Sequence, residues 1–138
     1  MIILALILFC MSLEPNDPLT QFRWEKRIIV VVSDSMSDEL IKEQIELLNQ
    51  FPEEFEDRDL ILIEVYNDRS QIQGKRSTST EHSSLISKFS TNGDFSLCLI
   101  GKDGGTKLRS EEVVNPLEIF QLIDSMPMRQ REMRSREG

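Results

Sequence analysis

The sequence has little of the side-chain chemistry that most enzymes use. Its 138 residues include two cysteines, Cys10 and Cys98, and a single histidine, His82. A catalytic zinc ion needs about three converging protein ligands, so His82 is predicted to be a surface residue. No pair of carboxylates stands out as an acid–base couple. The sequence therefore indicates no catalytic residue, no metal site and no cofactor.

The sequence also lacks an extended region of positive charge. The net charge is −8, and residues 129–138 carry four Arg and two Glu, so the remainder carries −10. Nucleic-acid binding needs clustered Lys and Arg on the folded surface, which excludes nucleic acid as the expected partner. Residues 129–138 are predicted to form an Arg-rich C-terminal tail or a solvated helix end. In it, Arg129 and Arg131 are candidates for an interaction surface.

No apolar run is long enough to cross a bilayer. The run from Ile2 to Met11 is shorter than the roughly 20 residues of a membrane-spanning helix, and it is typical of the apolar part of a secretory signal. We expect residues 1–12 to be a signal peptide and the proline-containing residues 13–21 to be a linker. The protein is then periplasmic or secreted, and it contacts a membrane only if this segment is not cleaved. If Cys10 is removed, no internal disulfide is possible.

The first half of the folded part predicts a strand, a helix and a second strand. Residues 28–32 are five β-branched residues in a row, the pattern of a strand buried on both faces. A helix follows, with Ser35 and Asp38 spaced as a capping box. The segment "DLILIEVY" is a second continuous apolar strand. Two such strands joined by a helix are expected to be parallel.

The second half predicts a long loop, a short helix, two strands and a closing helix. Residues 67–80 are polar and are expected to form the longest and most mobile loop. The next helix begins at a capping box of Thr78 and Glu81 and ends at Asn92-Gly93. The strand "FSLCLI" follows. Asn115 is expected to cap the last helix, with Pro116 at its first position.

Two glycine-containing segments could be phosphate loops or turns. In "GKRS", position 69 is Arg where the phosphate-loop motif needs Gly, and Arg76 follows the lysine where the motif needs Ser or Thr. In "GKDGGTKLR", no helix follows the glycines, so Asp103, Gly104 and Gly105 are predicted to form a hairpin turn with at least one glycine at positive φ. In this interpretation the ammonium group of Lys102 points into water, and no nucleotide binds.

The resulting order, β-α-β-α-β-β-α, predicts an α/β fold of the thioredoxin-like type over residues 22–128, with a mixed four-stranded sheet. Thioredoxin-like enzymes keep a reactive thiol at the start of the first long helix, where the helix dipole lowers its pKa. This chain has "SDSMSD" there. Cys98 lies in the middle of a strand and is predicted to be a buried apolar residue. It remains the candidate thiol if the protein is a redox enzyme.

Just before the first strand, Phe22 and Trp24 alternate with Arg23. The alternation predicts that Trp24 packs on the domain while Arg23 faces water. The alternative is that Trp24, the only tryptophan, is exposed and anchors a partner.

Four blocks, "FRWEKRIIVV", "RDLILIEV", "LIGKDGGTKLRS" and "LIDSMPMRQREM", resemble the domain of unknown function family 4174. Members occur in small exported bacterial proteins and in vertebrate extracellular proteins of the sushi-repeat-containing type. The resemblance spans about residues 19–133 and implies a thioredoxin-like, peroxiredoxin-related fold outside the cytoplasm. It implies no catalytic residues.

The leading hypothesis is therefore an exported, non-catalytic thioredoxin-like domain that binds an envelope or extracellular protein. The alternative is a thiol-dependent oxidoreductase or peroxidase that uses Cys98. A third hypothesis is an enzyme of another class.

Overall fold

The computed structural model describes residues 17–89 and 94–137. In these residues six strands form one mixed sheet in the order β4-β3-β2-β1-β5-β6. The strands are β1 (Arg27–Val32), β2 (Leu60–Val65), β3 (Ser70–Ile72), β4 (Lys75–Arg76), β5 (Ser96–Ile100) and β6 (Thr106–Ser110). The helices are α1 (Glu39–Leu48), α2 (Pro52–Asp57), α3 (Ser79–Phe89), α4 (Pro116–Asp124) and α5 (Pro127–Glu137), and a 3₁₀ turn covers Thr20–Phe22. The predicted signal peptide (1–12), the start of the predicted linker and the predicted helix end at Asn92-Gly93 lie outside the described residues.

The sheet is buried on both faces, as the unbroken apolar pattern of β1 predicts. Ile29 and Val31 pack in the cluster that includes residues of α1 and α4. Residues 28, 30 and 32 pack in the opposite cluster, which includes residues of α3. β1 is parallel to β2 and antiparallel to β5, and β5 is antiparallel to β6. The predicted α/β class and the parallel β1–β2 pair are confirmed.

The sheet has two more strands than the four predicted. Residues 67–80, predicted to be a mobile loop, contain the hairpin β3–β4 at the β2 edge of the sheet. Its turn residues Gln73 and Gly74 both have positive φ, at 52° and 81°, as a two-residue hairpin of the primed type needs. These strands are short and polar because they lie at an edge, so they lack the apolar pattern that identifies a buried strand.

The described end of the predicted linker is also part of the folded domain. Pro18 is buried, and Leu19 and Phe22 pack against the cluster beneath α3. The carboxylate of Asp17 accepts a hydrogen bond from the backbone N–H of Leu19 at 2.9 Å. The apolar area that Leu19 and Phe22 bury favours this docking, so the ordered domain begins before residue 22.

Two of the three predicted helix caps agree with the structure. Thr78 and Glu81 form a reciprocal capping box at α3, and the Asn115 side chain accepts a hydrogen bond from the N–H of Leu117 at 3.0 Å. Ser35 was predicted to cap α1, but the cap is Asp38, which accepts from the N–H of Leu40. The predicted helix began too early, because residues 35–37 precede the helix and form a turn.

The turn between β5 and β6 agrees with the predicted hairpin. The N–H of Gly104 donates to the carbonyl of Gly101 at 3.0 Å, and the N–H of Gly101 donates to the carbonyl of Gly105 at 2.9 Å. The Asp103 carboxylate accepts from the N–H of Gly105. Gly104 has φ of 87°, the left-handed region that β-branched residues avoid.

We expect Gly104→Val to lower the free energy of unfolding by about 1–3 kcal/mol because valine is strained at this φ. The matched control is Gly105→Val, at a glycine without positive φ whose added Cβ would meet no atom closer than 3.3 Å. Urea denaturation of the two variants measures the difference. Equal losses at both positions would contradict the assignment of strain to Gly104.

Candidate functional site

The segment between β1 and α1 is where a thioredoxin-like enzyme would keep its thiol. Here the buried hydroxyl of Ser33 donates to the carboxylate of Asp38 at 2.6 Å. The other oxygen of Asp38 caps α1. The positive end of the helix dipole is therefore complemented by a carboxylate. The segment holds α1 in place and offers no thiol nucleophile.

Cys98, the candidate thiol, lies inside β5, opposite Val30 of β1 and Arg109 of β6. Its side chain is 3% exposed and packs in the apolar cluster beneath α3. Burial raises the pKa of the Cys98 thiol, and the nearby positive charge of Arg109 offsets this only in part. A protonated, buried thiol is a poor nucleophile.

His82 uses both ring nitrogens for structural hydrogen bonds. Nε2 lies 3.1 Å from the carbonyl oxygen of Asn67, so it carries the proton and donates. Nδ1 therefore accepts from the hydroxyl of Ser70, at 2.6 Å. These bonds tie α3 to the start of β3. Among residues 17–89 and 94–137, no three side chains of metal-ligating type come together.

Tyr66 also has a raised pKa. Burial and the hydrogen bond that its hydroxyl donates to Glu64, at 2.6 Å, both raise the pKa of Tyr66. The phenol is therefore protonated at neutral pH and does not act as a base.

Trp24 is exposed, and the prediction that it packs on the domain was wrong. Its side chain is 62% exposed and its backbone φ is 70°, an outlier for a bulky residue. The backbone N–H of Trp24 donates to the carbonyl of Lys102 at 2.7 Å. The left-handed conformation redirects the chain, which turns the indole into water instead of following the strand alternation. Phe22 and Arg23 keep the predicted inward and outward orientations.

Of the two arginines proposed for an interaction surface, Arg131 is exposed and Arg129 is not. Arg129 is 2% exposed. Its guanidinium contacts the carboxylate of Asp57 at 2.6 Å and that of Asp124 at 3.0 Å. The prediction of a tail from residue 129 was wrong, whereas the alternative of a helix end agrees with the structure, because residues 129–137 belong to helix α5. This helix contacts the domain through Arg129.

Ion pairs, most of them with a buried cation, connect α5 to the end of the sheet where β1 begins and β5 ends and to α2 and α4. We call this set the α5 ion-pair network. Its members are Arg27, Glu54, Asp57, Arg58, Asp59, Lys102, Asp124, Arg129, Glu132 and Arg136. Arg27 binds both carboxylate oxygens of Glu132 at 3.1 Å. Lys102 is 9% exposed, and its ammonium group contacts Asp59 at 2.9 Å and Glu132 at 2.8 Å. The prediction that this group points into water was wrong, because the chain after β5 turns it under α5.

The network lowers the pKa of three of its carboxylates. Burial opposes ionisation of Glu132, but the hydrogen bonds from Arg27 and Lys102 outweigh it and lower the pKa of Glu132. Burial also opposes ionisation of Asp124, but the hydrogen bonds from Arg58 and Arg129 outweigh it and lower the pKa of Asp124. The hydrogen bond from Arg129 is the main cause of the lowered pKa of Asp57. Every charge here has a partner, so the network is suited to holding structure rather than to transferring protons.

The network also links the sequence blocks that resemble one family. Arg27, Arg58 with Asp59, Lys102, and Glu132 come from the four blocks in turn. The local sequence does not connect them, although Arg27, Arg58 and Lys102 lie at the ends of apolar strands, where a charge needs a partner on burial. A charged residue directly next to an apolar strand was therefore the sequence signal that could have indicated these ion pairs. By fixing Lys102, the network also fixes the carbonyl that holds Trp24.

The chain matches a known protein family over most of its length. The family described as "Domain of unknown function (DUF4174)" matches residues 18–132. The chain belongs to the DUF4174 family. No curated protein matches this DUF4174 chain in sequence.

Solved structures show the fold of the DUF4174 domain. It is similar to the reduced 2-Cys peroxiredoxin of Plasmodium vivax, with 16% identity and a TM-score of 0.55 over 82% of this chain and 84% of that one. It is also similar to thioredoxin peroxidase I of Plasmodium yoelii, with 15% identity and a TM-score of 0.57 over 82% and 79%. The mitochondrial 2-Cys peroxiredoxin of Plasmodium falciparum is also similar, with 16% identity and a TM-score of 0.52 over 78% of this chain and 79% of that one. The domain therefore has a thioredoxin-like, peroxiredoxin-related fold.

Proposed function

We propose that this DUF4174 domain is a non-catalytic binding module whose contact with a partner protein is centred on Trp24. The observation that carries the proposal is the exposure of the indole from a backbone in the left-handed region. Such a conformation costs about 1–3 kcal/mol and persists only where the surroundings enforce it. Here the Lys102 carbonyl and the network beneath it do so. Exposed tryptophan is among the residues that contribute most to protein interfaces.

The thiol chemistry of a peroxidase has little support in this site. Cys98 is buried, its pKa is raised, and the segment before α1 carries Ser33 and Asp38 in place of a thiol. A thiol-dependent oxidoreductase that uses Cys98 is therefore the second candidate, and it would need β5 to open.

We further propose that the partner is an envelope or extracellular protein, since the apolar run from Ile2 to Met11 is typical of an export signal. The net charge of −8 opposes nucleic acid as a partner, and both glycine segments depart from the phosphate loop, which opposes nucleotide. Within the part of the chain described, no helix combines the length and apolar character needed to cross a membrane.

Photo-crosslinking tests the module directly. We replace Trp24 by a benzoylphenylalanine side chain and expose the protein to envelope and extracellular fractions. Position 24 is expected to capture a discrete protein, and excess wild-type chain should compete while the Trp24→Ala chain should not. The matched control is the same side chain at Leu117, an exposed apolar residue of α4. The same captured proteins at both positions would contradict the proposal.

A further inference from the structure

A small pocket lies beside Trp24 in the chain, and its rim is positively charged. It is formed by the 3₁₀ turn, the start of β1, the end of α3 and the β5–β6 turn, and it encloses about 140 Å³. Its charged lining residues are Asp17, Arg23, Lys26, Lys88 and Arg109. Four cations and one carboxylate give this lining a net charge of +3, although the whole chain carries −8.

In the described part of the chain, one of these four cations has a carboxylate partner. Lys88 forms an ion pair with Asp17. Within residues 17–89 and 94–137, by contrast, no carboxylate pairs with Arg23, Lys26 or Arg109. Like charges that line one small pocket repel one another, so an anion between them would be favoured.

The backbone leaves room for Arg23 at the rim. A Cβ added to Gly104 would lie 2.9 Å from Nη2 of Arg23, so the guanidinium lies across the bare glycine. This places a planar donor at the pocket, with the fork geometry that binds a carboxylate through two hydrogen bonds. Gly104 thus has a second role besides its positive φ.

The size and walls of the pocket limit the ligand. Apolar side chains line its interior: Leu19, Phe22, Ile28, Phe89 and Ile100. A cavity of about 150 Å³ holds a group the size of benzene, whereas sites for whole small molecules occupy roughly 300–1,000 Å³. The pocket therefore fits the end of one side chain with an apolar stem and an anionic head.

We infer that this pocket binds the carboxylate of an acidic side chain on a partner protein, which would lie next to the contact made by Trp24. The inference rests on the proposed function. A long polyanion is disfavoured, because away from the pocket it would meet an acidic surface. A single carboxylate in the pocket is within the Debye length, about 8 Å at physiological salt, of its cations. The glutamate side chain, with two methylenes before its carboxylate, matches this lining well.

The test uses two blocked pentapeptides, Ala-Leu-Glu-Leu-Ala and its glutamine counterpart, titrated into the ¹⁵N-labelled full chain. The glutamate peptide is expected to shift the amide signals of Gly101, Gly104 and Thr106. The glutamine peptide should bind at least about tenfold more weakly, since a charge-assisted hydrogen bond is lost. Arg109→Gln should weaken the glutamate peptide to the same extent, with Lys26→Gln as the second variant. Arg131→Gln, which changes an exposed arginine of α5 outside the pocket, should leave it unchanged.

Several outcomes would overturn the inference. These are equal binding of the two peptides, an equal effect of Arg131→Gln and Arg109→Gln, or tighter binding of inorganic phosphate or heparin than of the glutamate peptide. The amide spectrum of each variant reports whether it is folded. If the peptide does not bind but crosslinking at position 24 persists, the carboxylate pocket falls and the binding module stands. If both fail, the proposed function falls with it.

Discussion

Replacing Glu132 by Gln is expected to lower the free energy of unfolding by about 3 kcal/mol, because it leaves two buried cations without their shared carboxylate. Arg27 and Lys102 both contact Glu132, and both are buried. The amide keeps the shape of the side chain, so the loss reports charge rather than a cavity. Glu43→Gln, at an exposed position of α1, is the matched control and should change stability by less than about 0.5 kcal/mol.

The pH dependence of this difference gives the sharper test. The pKa of Glu132 in the folded protein lies below its ordinary value of 4.5. Its contribution is therefore fully present above that value and is lost as the pH falls through the lower folded pKa. In acid the wild-type side chain becomes protonated and resembles glutamine, so the two stabilities should converge. A gap between wild type and Glu132→Gln that stays constant from neutral pH to about pH 3 would contradict the ion-pair account.

Deleting residues 127–138 should be more damaging, because it removes α5 with both Arg129 and Glu132. Loss of these partners is expected to cost at least about 3–5 kcal/mol, out of a total stability of about 5–15 kcal/mol for a domain. We expect the shortened chain to be largely unfolded at 37 °C by circular dichroism.

The control for this deletion is the removal of residues 133–138 only. It leaves the contacts of Arg129 and Glu132 in place and loses the exposed pair between Arg136 and Asp57, which is worth at most about 1 kcal/mol. If residues 127–138 were a tail, both deletions would leave the urea midpoint where it is in the full chain.

The central part of the fold could be predicted from sequence because buried strands have characteristically apolar sequences. β1 and β2 are largely apolar since both faces of the sheet are covered there, and Asn115 and Thr78 are residue types that commonly cap helix N-termini. The hairpin β3–β4 could not be predicted in the same way. Its residues are polar because they lie at an edge, so only the turn chemistry of Gln73 and Gly74 marked it.

Helix α5 shows the other limit of pattern reasoning. It has almost no apolar face, and it docks through charges whose partners lie far away in sequence. Nothing in the local spacing of Arg129 or Glu132 indicates Asp57 or Lys102 as a contact. The prediction for Trp24 was wrong for a different reason. Alternation predicts which way a side chain faces only while the backbone stays extended, and Trp24 has a φ of 70°. The candidate site around Trp24 therefore lies where the local sequence pattern predicts a different side-chain orientation from the one in the structure.

The most direct test of the central claim, a thioredoxin-like domain without thiol chemistry, is the rate of hydrogen peroxide consumption. The assay uses the full chain with Cys10→Ser, so that Cys98 is the only thiol, and dithiothreitol as the reductant. Because Cys98 is buried with a raised pKa, we predict the same slow rate with this protein, with its Cys98→Ser variant and with buffer. Fast consumption that Cys98→Ser abolishes would contradict the account and identify a peroxidase.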